Sequence, residues 1–386
     1  MAGSKVNIWK QDPTVTSIGV RTSYVHTKIE KGPKDQDIEI KGMPTVLPNS
    51  KGDFLFNPKE NPSEFDSVHT FTVVRQVLTM YRRALKRLSP STTLNWQWGA
   101  GVPISVYPRA GEDPNAYYAR EEKSLRFFYF YPKNNHLNPL VYTCRSFDIV
   151  AHETGHAVLD ALRPGYWNSW HPETGGLHES FGDLTSIFTM LAQMDQCEAI
   201  IAESKADLHT KSFFSALAEQ FGEALGRTTG LRNADNNLKM SDVSTEVHDL
   251  SQVFTGAVYD IIADIFADHH DPSLYDPAES LFRVGSHIAS LLITAITTGP
   301  AQNATYSDIA KIMLNLETNP KWQAFIGKQF STREVLNAPI GLAPLTPKTL
   351  CWDKCCGTLR HPNQINSFEK ALKTQLNPAT SYTAEA

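Results

Sequence analysis

The stretch FDIVAHETGHAVLD, residues 147–160, decides how the chain is read. Its apolar side chains ring most of a helix, which places the segment in an interior. Yet Asp148, His152, His156 and Asp160 recur at every fourth position as one polar stripe. Side chains four apart project from the same helix face, so the rings of His152 and His156 can reach one tetrahedral ion. A polar stripe on a buried helix must find partners, and a metal with the groups that orient its ligands supplies them. Glu153, between the two histidines, is offset so that it touches a water on that ion without replacing a ligand.

The next informative stretch is GGLHESFGD, residues 175–183, at the opening of another helix. Glu179 and Asp183 lie one turn apart there, on the face away from Phe181, Leu184 and Phe188. Two carboxylates on one edge of an apolar helix suit a metal ligand plus an acceptor that orients a histidine ring. Two histidines and one carboxylate leave a fourth position open, the catalytic form of a zinc site rather than the structural one. The 22 residues between His156 and Glu179 also contain Glu173, a remote alternative for the third ligand.

Working outward, 386 residues suffice for a sizeable core, and 41% hydrophobic with 20% charged residues is ordinary globular composition. A net charge of −5 gives no footprint for nucleic acid. No run of about 18 apolar residues suggests a membrane span. The N-terminal MAGSKVNIWKQDPTVTS lacks an apolar run of secretory length, so the expected location is cytoplasmic, or outside the cell by a non-classical route. Five cysteines do not make a disulfide framework, and the Cys351, Cys355, Cys356 cluster lacks the spacing of a zinc site.

Residues 1–63 read as a strand and loop extension, with β-branched alternation over Val15 to Tyr24 and Ile38 to Ile40. Apolar spacing predicts a long amphipathic helix from Phe65 to Leu88, then strands over Pro103–Tyr107 and Ser124–Tyr131. Helix-like runs follow over 147–162, 176–193, 212–226, 250–268, 277–297, 306–316 and 364–375. The expected fold is α+β with two lobes: residues 64–164 form an α/β lobe ending in the histidine helix, and 165–386 a mainly helical one. Pro164-Gly165 would mark the junction.

These motifs, in this order, resemble the thermolysin-like metallopeptidases, a branch of the gluzincin group. Further likenesses lie in Asn115-Ala116-Tyr117-Tyr118, Leu231-Arg232-Asn233-Ala234-Asp235 and Val247-His248, so the resemblance covers roughly residues 65–300. It implies a zincin fold and a zinc endopeptidase in which His152, His156 and Glu179 hold the metal. Glu153 would be the general base, and His248 would donate to the developing oxyanion. Asp183 would hydrogen-bond a ligand histidine. Three acids are open as the partner of His248, namely Asp242, Glu246 and Asp249, with Asp242 favoured. Arg232 would grip a substrate carbonyl or form an ion pair, while Asn115 and Ala116 would line the cleft beside an extended peptide. Tyr166 would be a second oxyanion donor or a packed aromatic.

The implied partner is a peptide or protein substrate. Calcium is not supported, because Met190 and Leu191 stand where the resemblance calls for acids. Two other functions fit the same motif: a gluzincin aminopeptidase, although no Gly-x-Met-Glu-Asn segment is present, and a catalytically silent zincin-like binding or effector protein.

Overall fold

A computed structural model describes residues 3–132, 135–169, 171–224 and 230–336. Near the N-terminus, β1 (Ser4–Trp9) pairs antiparallel with β2 (Val20–Val25), and alternation along β1 buries Val6 and Ile8 completely. The expected strand over Val15 to Tyr24 therefore forms only in its second half. The chain turns before it, with Gly19 at a positive φ of 59°. A four-stranded sheet follows in the order β3-β4-β6-β5, built from β3 (Ile38–Ile40), β4 (Ile104–Tyr107), β5 (Ala116–Ala119) and β6 (Ser124–Phe127). β4 runs parallel to β3 and β6, whereas β5 is an antiparallel edge strand. A small ribbon of β7 (Tyr129–Phe130) and β8 (Val141–Tyr142) completes this part.

The first long helix, α1 (Pro62–Leu88), starts three residues earlier than its apolar spacing suggests, with Pro62 preset for a first turn. After β8 the chain is mainly helical: α2 (Phe147–Leu162), α3 (Pro164–Trp167), α4 (Pro172–Leu191) and α5 (Met194–Ser204). Then come β9 (Ala216–Leu217), α6 (Glu219–Ala224), β10 (Arg232–Asn233), α7 (Val247–His269), α8 (Pro277–Thr298), α9 (Tyr306–Leu316) and α10 (Pro320–Thr332).

Two departures from the expected helices have local causes. Among the described residues of the run over 212–226 the helix is α6, which begins late because Ala218 adopts a left-handed φ of 52° and Ala216–Leu217 pairs with Arg232–Asn233. α4 begins at Pro172 rather than 176, its two glycines staying helical. At Gly176 a Cβ would sit 2.2 Å from the Tyr306 hydroxyl, so the missing side chain permits a close approach. The expected helix over 364–375 and the Cys351, Cys355, Cys356 cluster lie outside the described residues.

Strands thus concentrate before residue 143 and helices after it, and one apolar cluster runs from Val6 through Val335. α7 and α8 have the length and mean hydropathy of membrane spans, but most of each is buried within the protein, as core helices are.

Candidate metal centre

The side chain of Ser146 caps α2 by accepting from the Ile149 amide, and every residue from Phe147 to Asp160 is buried. α2 crosses α4 through a pair of glycines. A Cβ on Gly155 would lie 3.1 Å from the Gly182 Cα, and one on Gly182 would lie 2.6 Å from the His152 ring. This close approach brings the carboxylates of α4 to the histidines of α2. Each member of the polar stripe finds a different partner. Asp148 accepts from the Ala218 amide at 3.2 Å, and His152 Nδ1 meets Asp183 Oδ1 at 2.9 Å. His156 Nδ1 meets His178 Nδ1 at 2.8 Å, and Asp160 accepts from the Tyr118 hydroxyl at 2.7 Å and from Arg120.

The other ring nitrogens converge. His152 Nε2 and His156 Nε2 stand 3.1 Å apart, and they lie 3.4 and 3.6 Å from the oxygens of Glu179. Both Glu179 oxygens are fully buried yet accept no hydrogen bond. A tetrahedral ion with bonds of about 2.0–2.1 Å separates its ligand atoms by roughly 3.3 Å. The two Nε2 atoms, with one Glu179 oxygen 3.4 Å from His152 and the other 3.6 Å from His156, can therefore reach one ion, and the buried carboxylate without a donor is the group such an ion would satisfy. His152, His156 and Glu179 form a buried group able to hold a metal.

The electrostatics follow from this crowding. Burial raises the carboxyl of Glu179, but His248, His152 and His156 around it outweigh burial and hold it well below the usual range. Burial likewise opposes charge on His152, yet Asp183 and Glu179 push it up to about 10. His156 is driven well below its ordinary value by burial, with its neighbouring imidazoles adding to the effect. A metal ion bound here would compete with protons for the ring nitrogens.

Around this centre the structure sorts the expected residues. Asp183 bridges His152 and Arg232, whose Nε and Nη2 reach it at 2.8 and 2.6 Å, so Arg232 forms an ion pair while also lining the cavity beside Glu153. His248 Nε2 approaches Glu179 at 3.4 Å. Its Nδ1 is held at 2.6 Å by Glu246, not by Asp242, which is a correction. Asp242 instead accepts from the Lys239 amide within its own turn, and Asp249 accepts from Ser244. Glu246 is placed because it caps α7, accepting from the amides of His248 and Asp249. Tyr166 is a packed aromatic whose hydroxyl donates to the Pro300 carbonyl. Glu173 accepts from the Tyr306 amide and is not a member of the group that could hold a metal. Beside Glu153, Arg232 and Ala116 a cavity opens with apolar walls from Ile149, Leu217, Ala218, Phe221 and Leu231. Asn115, next to Ala116, is buried with its carbonyl accepting from Thr143.

The sequence assigns no role to His178 and does not show that Tyr118 and Arg120 are the partners of Asp160. The adjacency of His178 to Glu179 is its one visible signal.

No family model matches the chain, and no curated protein matches it. Among solved structures, it is similar to the precursor of protealysin, a metalloproteinase from Serratia proteamaculans. That match has a TM-score of 0.47 and 12% sequence identity, covering 87% of this chain and 89% of the other.

Proposed function

We propose that the chain is a zinc-dependent endopeptidase with Glu153 as its general base. The observation that carries this is the convergence of three buried ligand groups, His152, His156 and Glu179, within reach of one ion. Two imidazoles and a carboxylate suit zinc among common divalent ions. When bound, zinc supplies Lewis acidity toward water and a peptide carbonyl.

The protein's own residues do the rest. Asp183 accepts from His152 Nδ1, which fixes the tautomer that leaves Nε2 bare for the metal. Glu153, buried beside the cavity, takes a proton from the attacking water and returns it to the departing amine. His248, its Nδ1 held 2.6 Å from Glu246, would turn Nε2 toward the oxyanion, a contact that strengthens as charge develops. The edge strand β5, whose Ala116 lines the cavity, offers its outer side to an extended peptide. The apolar walls beside Glu153 favour a bulky apolar residue next to the cut.

The test is digestion of a random peptide library read by mass spectrometry, with wild type beside Glu153→Ala and zinc content measured for both. The variant should keep its zinc and lose turnover by about 10²–10⁴. Equal cleavage by the two proteins removes Glu153 from the mechanism, and a wild type that binds zinc but cleaves nothing makes the chain a silent binding module.

A further inference from the structure

A second region, sharing no lining residue with the metal centre, is organised around charge. On α1, Arg75, Thr79, Arg83 and Arg87 follow one another at every fourth position and so share a face. That face lines two adjoining cavities of about 170 and 550 Å³, which have His26, Arg75, Thr79 and Arg83 in common. They form a continuous groove between α1, β2 and α8.

Three guanidinium groups and no carboxylate line the first cavity. In the second, Lys28, Arg82 and Lys86 join Arg75 and Arg83, against Glu30 and Asp35. Some of this charge is already matched: Arg75 pairs with Asp35 and Asp37, and Arg82 with Asp37. Among the described residues, the side chains of Arg83, Arg87, Lys86 and Lys28 make no ion pair or hydrogen bond. Two like charges one turn apart on a helix repel, so nothing in the fold rewards keeping Arg83 and Arg87 together. Burial lowers His26 below its ordinary value, and the positive field of Arg83 and Arg75 lowers it further. This occurs on a chain whose net charge is −5. The groove is not purely polar, since Val25, Met80, Ala84, Phe282 and Ala289 supply an apolar floor.

We infer that this groove binds an acidic peptide segment in extended form. The rise of α1 from Arg75 to Arg87 spans roughly 18 Å. That is far longer than one phosphate, and it matches about five or six residues of an extended chain at about 3.3 Å each. Mid-helix amides already engaged in the helix offer no backbone cradle for a compact anion. Carboxylates on the peptide meet Arg83, Arg87 and Lys86, and interspersed apolar side chains meet Met80 and Phe282. The site lies apart from His152 and does not depend on the peptidase assignment.

The test is fluorescence anisotropy with a labelled peptide alternating Glu with Leu and Ala, titrated with full-length Glu153→Ala protein so that the probe survives. The expected result is saturable binding that weakens as salt is added. Reversing both guanidiniums, Arg83→Glu with Arg87→Glu, should weaken it by about tenfold or more. The milder Arg83→Gln with Arg87→Gln should fall between, and unchanged melting temperatures would show that both variants remain folded. The inference is overturned if a Gln-for-Glu peptide binds as tightly, if the reversed pair binds as wild type does, or if the groove takes inorganic phosphate or a nucleotide but not the peptide.

Discussion

Glu246 and His248 show how much a single acid can decide. The carboxyl of Glu246 is raised by burial, but the hydrogen bond and charge of His248 outweigh this and keep it low. A carboxylate 2.6 Å from Nδ1 fixes the ring and leaves Nε2 3.4 Å from Glu179. Glu246→Gln should therefore lower kcat by about 10–100-fold, with zinc content and affinity little changed. Asp242→Asn, whose carboxylate serves only its own turn, should stay within about twofold of wild type. Steady-state kinetics with zinc titration on both variants checks this, and an equal loss in the two would return the orienting role to Asp242.

At the scale of elements, the centre rests on the crossing of α2 and α4, and that crossing rests on glycine. A methyl group on Gly182 would press into the His152 ring, which is itself held by Asp183 and Arg232 and has little room to move. Gly182→Ala should weaken zinc binding by about 10–100-fold through misplacement of His152 and cost about 1–3 kcal/mol through overpacking. Gly327→Ala, in the middle of α10 with its nearest neighbour 3.6 Å from the added carbon, should instead stabilise by up to about 1 kcal/mol. Competition titration with a zinc chelator and thermal melts of both variants would show it. Unaltered zinc affinity in Gly182→Ala would mean that the helices slide apart at no expense to the site.

Across the whole molecule, the N-terminal segment is tied to the helices by a buried pair of acids. Asp12 accepts from Ser146 at the start of α2, and burial raises it from 3.8 to about 7, with Glu219 and Glu223 of α6 adding repulsion. Asp148 across from it is raised well above its ordinary value, by burial first and Asp12 second. Because the folded value exceeds the unfolded one, the unfolded chain releases the Asp12 proton first as pH rises. Stability attached to the neutral carboxyl is thus complete below about 3.8, falls as pH climbs to about 7, and stays lost above that. Its magnitude is up to about 4 kcal/mol for a group shifted this far. Asp12→Asn should melt above wild type near pH 8, with the gap closing toward pH 4. Parallel melting curves across that range would contradict an Asp12 carboxyl raised by burial.

Much of the centre is legible in the amino-acid sequence by itself. The helix of residues 147–162, the shared face of His152 and His156, and the one-turn spacing of Glu179 and Asp183 follow from the helical period, a property of neighbouring residues alone. The Ile38–Ile40 strand and the helix over 306–316 are legible for the same reason. Other features depend on packing between segments far apart in the chain. That Glu179 meets the two rings, that Glu246 rather than Asp242 holds His248, that His178 backs His156, and that Arg83 and Arg87 overlook a groove all follow from where helices cross. A crossing is fixed by shape at contact, such as two glycines back to back, and no period along one strand or helix carries that information.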